Sequence, residues 1–305
     1  MQPTRRQALG AGFGAAAGLV AASAKAAVVD PRPAMGDGKI TAQMKLSVAA
    51  YSFRDFLPRG AKKGTMTLHH LFDLAAVWRL DAVEPTSYYF TSEDMAYLLS
   101  MKAKAFRLGL DISGTAVGNN FCHPPGKQRD NELAAMKRWI DHATVIGAPV
   151  IRVFAGRKHR HADRDQAYAW AVDAMKESCA YAATKGVFLA IENHGYLTET
   201  ADDVLRFVDA IDSEWFGVNL DTGNFDDAPY VNMVKLAPKA LNVQVKVQVP
   251  GDNGKEPADY DRIVKILADA NYRGYLALEY EAQEDPMTAV PKHLDALRTA
   301  IGNLR

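Results

Sequence analysis

Short apolar runs alternate with stretches of helical period along nearly the whole chain, and most of the runs end on a polar or charged residue. The runs fall at 46–53, 82–85, 110–117, 150–155, 187–192, 216–220, 241–248 and 275–280. Continuous apolar runs this short are the pattern of strands buried on both faces, the usual case in a parallel sheet. The stretches between them read as helices. At 68–79, Leu71, Leu74, Ala75 and Trp78 lie on one stripe; the next runs from Ser92 to Leu108. Two more close on Gly147 and Gly186, and one opens at Thr200 with Asp202 and Asp203 in its first turn, where the helix dipole favours them. A short helix is expected at 230–237, another at 257–271, and a last one to Leu304. Eight strand–helix pairs in strict alternation predict an α/β fold, a single (β/α)8 barrel over 44–305. The competing arrangement is a doubly wound open sheet. That would want G-x-G-x-x-G after the first strand and polar residues gathered at one switch point. The chain has no such motif, and its polar residues cap nearly every strand.

The first residues read as an address rather than as fold. Thr4-Arg5-Arg6-Gln7-Ala8-Leu9 is a twin-arginine pattern, followed by a weakly apolar Ala/Gly run at 10–22 and small residues around Ala24 that suit signal peptidase. The expectation is a cleavable signal peptide at 1–26, a linker at 27–43 and a periplasmic protein exported by the twin-arginine route. The run is too short and too rich in glycine to cross about 30 Å of hydrocarbon, so no stable membrane insertion is expected. The mature chain would hold about 280 residues, in the range of one TIM barrel of about 250. Lysine plus arginine and aspartate plus glutamate number 36 each, which favours neither nucleic acid nor an anionic membrane as partner. The two cysteines, Cys122 and Cys179, lack metal-ligand spacing, and free or buried thiols are expected rather than a disulfide. The oligomeric state is open, a homo-oligomer included.

Chemistry is concentrated at strand ends. V-F-L-A-I-E-N-H-G-Y at 187–196 runs from apolar residues into Glu192, Asn193 and His194. F-G-V-N-L-D-T-G-N ends on Asp221, L-N-V-Q-V-K-V-Q carries Gln244 and Lys246 on alternate positions, and Y-L-A-L-E-Y-E places Glu279 at its end. In a barrel of parallel strands these ends face one mouth. Three carboxylates and an amide oxygen converging there would repel unless a cation or a raised pKa intervened. A hard oxygen set favours Mn²⁺ or Mg²⁺ over Zn²⁺, with Co²⁺, Ni²⁺ and Zn²⁺ still admissible. The alternative is that each residue merely ends its strand in solvent.

A-I-E-N-H-G, N-L-D-T-G-N, V-Q-V-K-V and L-A-L-E-Y-E together resemble the xylose isomerase-like TIM-barrel superfamily, in its sugar (phosphate) isomerase/epimerase branch, also related to endonuclease IV. The resemblance covers the whole chain after the signal. It implies metal ligands at Glu192, Asp221, Gln244 and Glu279, with Glu192 and Glu279 also serving as acid and base. Gln244 departs from the family, which usually carries histidine there, and Asn224 departs from a common D-x-x-H. The implied chemistry is a cation that chelates a carbonyl and a neighbouring hydroxyl while a carboxylate removes the adjacent C–H proton. Return of that proton to the other face gives an epimer, and return to the neighbouring carbon gives an isomer. Expulsion of a β leaving group makes the enzyme a lyase, the alternative on 3-keto-glycosides. An exported member is expected to meet free sugars, keto-sugars or glycosides rather than sugar phosphates.

Substrate contacts are expected from His194, Lys246, His123 and Asn224. Glu84 and Arg152 either line the mouth or form a buried ion pair. The loop at 157–161 reads as a solvated basic segment, and Tyr51, Phe53, Tyr88, Tyr89 and Phe90 as core packing or sugar-stacking faces. Two other classes compete: a phosphoesterase, which would want more histidines at strand ends and a basic face, and a carbohydrate-binding barrel without catalysis.

Overall fold

The computed structural model describes residues 43–304. The expected signal peptide and all but the last residue of the expected linker lie outside them. In chain order the elements are β1 (Lys45–Ala49), α1 (Leu68–Val77), β2 (Ala82–Glu84), α2 (Met95–Arg107), β3 (Asp111–Ile112), β4 (Thr115–Ala116), α3 (Lys127–Ile146), β5 (Val150–Val153) and α4 (Arg164–Lys185). They continue with β6 (Phe188–Glu192), α5 (Ala201–Ile211), β7 (Phe216–Asp221), α6 (Pro229–Leu236) and β8 (Ala240–Lys246). A hairpin of β9 (Gln248–Gly251) and β10 (Gly254–Pro257) comes next, then α7 (Tyr260–Asp269), β11 (Tyr275–Glu279) and α8 (Pro286–Gly302).

The wall is parallel throughout, in the order β3-β2-β1-β11-β8-β7-β6-β5-β4. β3 and β4 are two halves of the third strand, interrupted at Ser113 and Gly114. The first half pairs with β2 and the second with β5, and a bridge from Thr86 to Ala116 joins the two sides. Nine segments thus make eight staves, and the expected (β/α)8 barrel is the fold. The interruption departs from the single strand expected at 110–117. At Gly114 an added Cβ would stand 2.9 Å from Val150 Cγ1 and 3.2 Å from the Val150 carbonyl oxygen, so Val150 leaves no room for a side chain there. The first strand is also shorter than expected, because residues 50–53 tighten into a 3-10 turn. The second helix is capped two residues later than expected: Asp94, not Ser92, accepts the capping hydrogen bond from the Tyr97 N–H at 2.7 Å. The hairpin β9–β10 is a further departure; the apolar continuation of the seventh strand hides it in the sequence.

Why the helices dock is visible in their apolar stripes. Leu71 and Phe72 of α1, Leu98 and Met101 of α2, Met136 and Ile140 of α3 and Phe207 of α5 are all essentially inaccessible to solvent and fill the space between helices and wall. Both cysteines are free and buried, as expected. Burial pushes the Cys122 thiol up to about 12 and raises that of Cys179 as well. Inside the barrel the chemistry changes. Ser47, Glu84, Ser113, Arg152, Asn219, Asn242, Gln244 and Lys246 are buried there, so much of the axial core is polar.

This packing has two testable outcomes. Gly217 of β7 faces Leu241 and the Lys239 carbonyl oxygen so closely that an added Cβ would meet them at 2.7 and 2.8 Å. Gly217→Ala should cost about 1–3 kcal/mol, read as a lower urea midpoint at unchanged slope. Iodoacetamide at mildly alkaline pH should leave both thiols of the folded protein unmodified and label both in guanidinium chloride, since the thiolate is the reactive form and burial suppresses it.

Candidate active site

Side chains alternate along a strand, so Ala190 and Glu192, Asn219 and Asp221, Ala277 and Glu279, and Asn242, Gln244 and Lys246 point the same way on their respective strands. Register sets which of them are neighbours across strands, and the tilt of the strands sets adjacent partners at different heights. Glu279 pairs with Lys246, Ala277 with Gln244, Asp221 with Gln244, and Glu192 with Asn219. Lys246, not Gln244, is therefore the cross-strand neighbour of Glu279.

The lower tier is a closed amide–carboxylate ring. Asn242 Nδ2 donates to Glu84 Oε1 at 2.6 Å and to Asn219 Oδ1 at 2.8 Å. Gln244 Nε2 donates to Glu84 Oε2 at 2.8 Å, and Gln244 Oε1 accepts from Asn219 Nδ2 at 2.8 Å. Both ends of the Gln244 amide are thereby engaged. Glu84 is not paired with Arg152; burial raises its carboxyl pKa, and the two amides offset part of that rise.

The upper tier holds the charges. Lys246 Nζ lies 3.2 Å from Asp221 Oδ2, 3.5 Å from Glu279 Oε1 and 3.2 Å from Glu281 Oε1. Glu192 is gripped from two sides: Arg152 Nε stands 3.0 Å from Oε2, and Asn224 Nδ2 donates to Oε1 at 2.9 Å. Neither the Arg152 Nε–H nor Asp221 Oδ2 has an aligned hydrogen bond, so these contacts are ionic rather than directional. The Arg152 guanidinium also lies over the Phe154 ring at 3.9 Å and donates to the Val117 carbonyl at 3.2 Å. Asn193 fixes the spacing of two strand ends: it accepts from the Asp221 N–H at 2.9 Å and donates to the Asp221 carbonyl at 2.8 Å. Asp221 Oδ1 accepts from the Gly223 N–H at 2.8 Å.

Two cations, Arg152 and Lys246, share this interior with the carboxylates Glu84, Glu192, Asp221, Glu279 and Glu281. Burial is the largest influence on Glu192 and Asp221 and raises both pKa values above the ordinary carboxylate range; the opposing cations recover only part of the rise. Burial works against the Lys246 ammonium too, but Asp221, Glu279, Glu281 and Glu192 outweigh it and hold the lysine charged.

The structure thus brings Glu192, Asp221, Glu279, Lys246 and Asn224 together. Gln244 points inward as expected, one tier lower. His194 sits exposed at the rim, its ring 4.7 Å from Phe154. His123 lies in the loop after β4, bonded through Nε2 to Asn120 at 3.0 Å, with Nδ1 buried and unbonded. The basic loop is largely solvated, as expected. Sequence reasoning missed two partners. Arg152 pairs with Glu192, and Glu281 closes the lysine from the solvent side, with about a third of its side chain exposed. The spacing Glu279-x-Glu281 was a usable signal, since both carboxylates lie on the same face of an extended segment.

The four-oxygen metal centre implied by the resemblance does not fit this arrangement. The Gln244 oxygen is committed to Asn219, and an ammonium nitrogen occupies the space between Asp221, Glu279 and Glu281. Among the described residues no group of three or more His, Cys, Asp or Glu side chains is arranged to hold a metal ion.

The grip on Glu192 makes a testable claim. Arg152→Met should cost about 3–5 kcal/mol, because it leaves a buried carboxylate without its cation, and adding Glu192→Gln to the same chain should recover most of the loss. Chemical denaturation of the two single variants and the double variant checks it.

Comparison with curated protein sequences returns no match. Solved structures share the fold. The apo form of 3-keto-D-glucoside 4-epimerase from E. coli is 18% identical, covering 84% of this chain and 100% of that one, with a TM-score of 0.66. D-psicose 3-epimerase from Clostridium cellulolyticum H10, solved with D-tagatose, is 17% identical over 86% of this chain and 98% of that one, with a TM-score of 0.68. A Mycobacterium smegmatis xylose isomerase-like TIM barrel protein in complex with magnesium is 16% identical over 86% and 97% of the two chains, with a TM-score of 0.66. The family model described as xylose isomerase-like TIM barrel matches residues 72–300, most of the wall and nearly all its helices, and the chain belongs to that family.

Proposed function

We propose that this protein is a sugar isomerase or epimerase that moves a proton at the carbon next to a carbonyl, on a free sugar, a keto-sugar or a glycoside. The observation that carries the reading is the convergence of Glu192 and Glu279, from β6 and β11, around buried cations at the C-terminal mouth of the barrel. Family membership, and structural neighbours that are epimerases of a 3-keto-glucoside and of psicose, support the substrate class. In this reading Glu192 and Glu279 are base and acid. A carboxylate held by Arg152 and Asn224 cannot rotate away from the proton it takes, and a second one across the site can return a proton to the opposite face. In the same reading His194, exposed after β6, and His123, in the loop after β4, supply contacts to sugar hydroxyls. The twin-arginine pattern at Thr4–Leu9 supports a periplasmic setting. The magnesium in the Mycobacterium smegmatis neighbour is what motivates the expectation of Mg²⁺ or Mn²⁺. Because the donor atoms here do not close around such an ion, none of the steps above is assigned to it.

The test is solvent exchange. Incubated with a panel of ketoses and 3-keto-glycosides in D₂O, the protein should place deuterium at the carbon beside the carbonyl, followed by NMR. Glu192→Gln and Glu279→Gln should each slow exchange by about 10²–10⁴-fold with unchanged circular dichroism. Absence of exchange with every sugar, accompanied by saturable binding, would turn the reading into a carbohydrate-binding barrel. Release of a leaving group in place of a returned deuteron would make it a lyase.

A further inference from the structure

Lys246 is an unusual resident. Its ammonium sits against Asp221 and Glu279, two of the four residues that the resemblance makes metal ligands, and against Glu281, at 3.2, 3.5 and 3.2 Å. The position is built rather than incidental. The Lys246 N–H donates to Thr222 Oγ1 at 2.8 Å, which fixes the backbone. The stem lies so close to Gly223 that an added Cβ there would fall 2.6 Å from Lys246 Cγ and 2.8 Å from Lys246 Cβ, so the glycine of N-L-D-T-G-N makes the bed for this side chain. Gln244 meanwhile is a neutral amide bonded at both ends.

We propose that the Lys246 ammonium is the resident cation of this site, taking the place of a divalent metal, and that the proton transfer runs without one. The inference rests on the functional reading above. None of the three ion-pair distances reaches the 2.7–2.9 Å of a tight charge-assisted hydrogen bond, so the ammonium is surrounded without being saturated. Glu281, the most exposed of the three carboxylates, is the contact a substrate oxygen displaces. A small cleft of about 20 Å³, room for a single water-sized group such as one substrate oxygen, is lined by Gly223, Asn224, Lys246, Gln248, Lys255 and Glu281 on that side. The step balances without oxidant or reductant. A carboxylate takes the proton from the carbon beside the carbonyl, and the C–H pair becomes the new C=C bond. The C=O π pair moves to oxygen, where a Lys246 N–H meets the growing charge. The second carboxylic acid then returns a proton to carbon, and the oxygen lone pair re-forms the carbonyl.

The deciding experiment uses Mn²⁺ alone as probe. The mature wild-type protein is analysed for metal content by elemental mass spectrometry, then titrated with Mn²⁺ while free ion is counted by electron paramagnetic resonance. The expected result is substoichiometric metal and no saturable Mn²⁺ site in the wild type. Lys246→Met, which leaves the carboxylates facing a space with no cation, should gain one saturable site. Near-stoichiometric metal or saturable binding in the wild type overturns the proposal, as does a folded Lys246→Met variant that gains no site; if the variant does not fold, the wild-type result decides. Once an exchange substrate is found, EDTA should leave the rate unchanged and Lys246→Met should lower it by about 10²–10³-fold, the loss of one donor to a developing oxyanion. An EDTA-sensitive rate overturns the proposal. Failure to exchange any sugar would refute the functional reading alone, since the Mn²⁺ measurement still reports which cation the site holds.

Discussion

Charge balance inside the barrel is the constraint on which the rest depends. Parallel strands bring their carboxyl ends to one mouth, and here those ends carry more acid than base. An isolated carboxylate in such surroundings would be prohibitively costly, so each must be paired, hydrogen-bonded or neutral. The fold uses all three remedies. Glu192 has a guanidinium and an amide, Asp221 has an ammonium and a backbone N–H, and Glu84 has two amides. Raised pKa values at Glu192, Asp221 and Glu84 mark what the pairing leaves uncompensated. That residue of unfavourable electrostatics is concentrated where an acid and a base are wanted, as is common in enzyme clefts.

The polar lower tier gives the upper tier its precision. Asn219, Asn242, Gln244 and Glu84 come from β7, β8 and β2, so one hydrogen-bonded ring ties distant staves together beneath the charges. Most of its donors and acceptors are satisfied, which favours a single arrangement of a buried polar network. Asn193 adds a second tie, between the ends of β6 and β7. The carboxylates therefore sit on strands whose mutual heights are locked twice, once by backbone register and once by side-chain amides.

Much of this was legible in the sequence. Apolar runs with polar ends marked the staves, and glycines at 147 and 186 marked helix ends whose backbone is left-handed in the structure. Glu192, Asp221 and Glu279 were identifiable because each ends a strand. What the sequence did not reveal was height. Gln244 and Lys246 share a face by alternation, and only the stagger between neighbouring strands decides which one meets Glu279. The partner of Arg152 was hidden for a related reason: Glu84 and Glu192 are both inward carboxylates, and the choice between them is three-dimensional. The hairpin β9–β10 was masked because Val247 and Val249 prolong the apolar rhythm of β8, although the Gly251-Asp252-Asn253-Gly254 sequence is a turn signal.

The split third stave has a mechanical meaning. Elsewhere each strand of the wall is paired with strands on both sides, but here β3 pairs only with β2 and β4 with β5, and the gap is spanned by one bridge between Thr86 and Ala116 and by the hydrogen bond from Thr115 Oγ1 to the Pro85 carbonyl at 2.7 Å. A cylinder with a single weak line opens along that line first. Amide protons of residues 111–117 should accordingly exchange with solvent ahead of those in β6, β7 and β8, and hydrogen-exchange mass spectrometry would refute this if all four stretches exchanged together. The stave next to that line is β5, which carries Arg152, so breathing of the seam loosens the grip on Glu192 while leaving Lys246, on the far side of the wall, undisturbed.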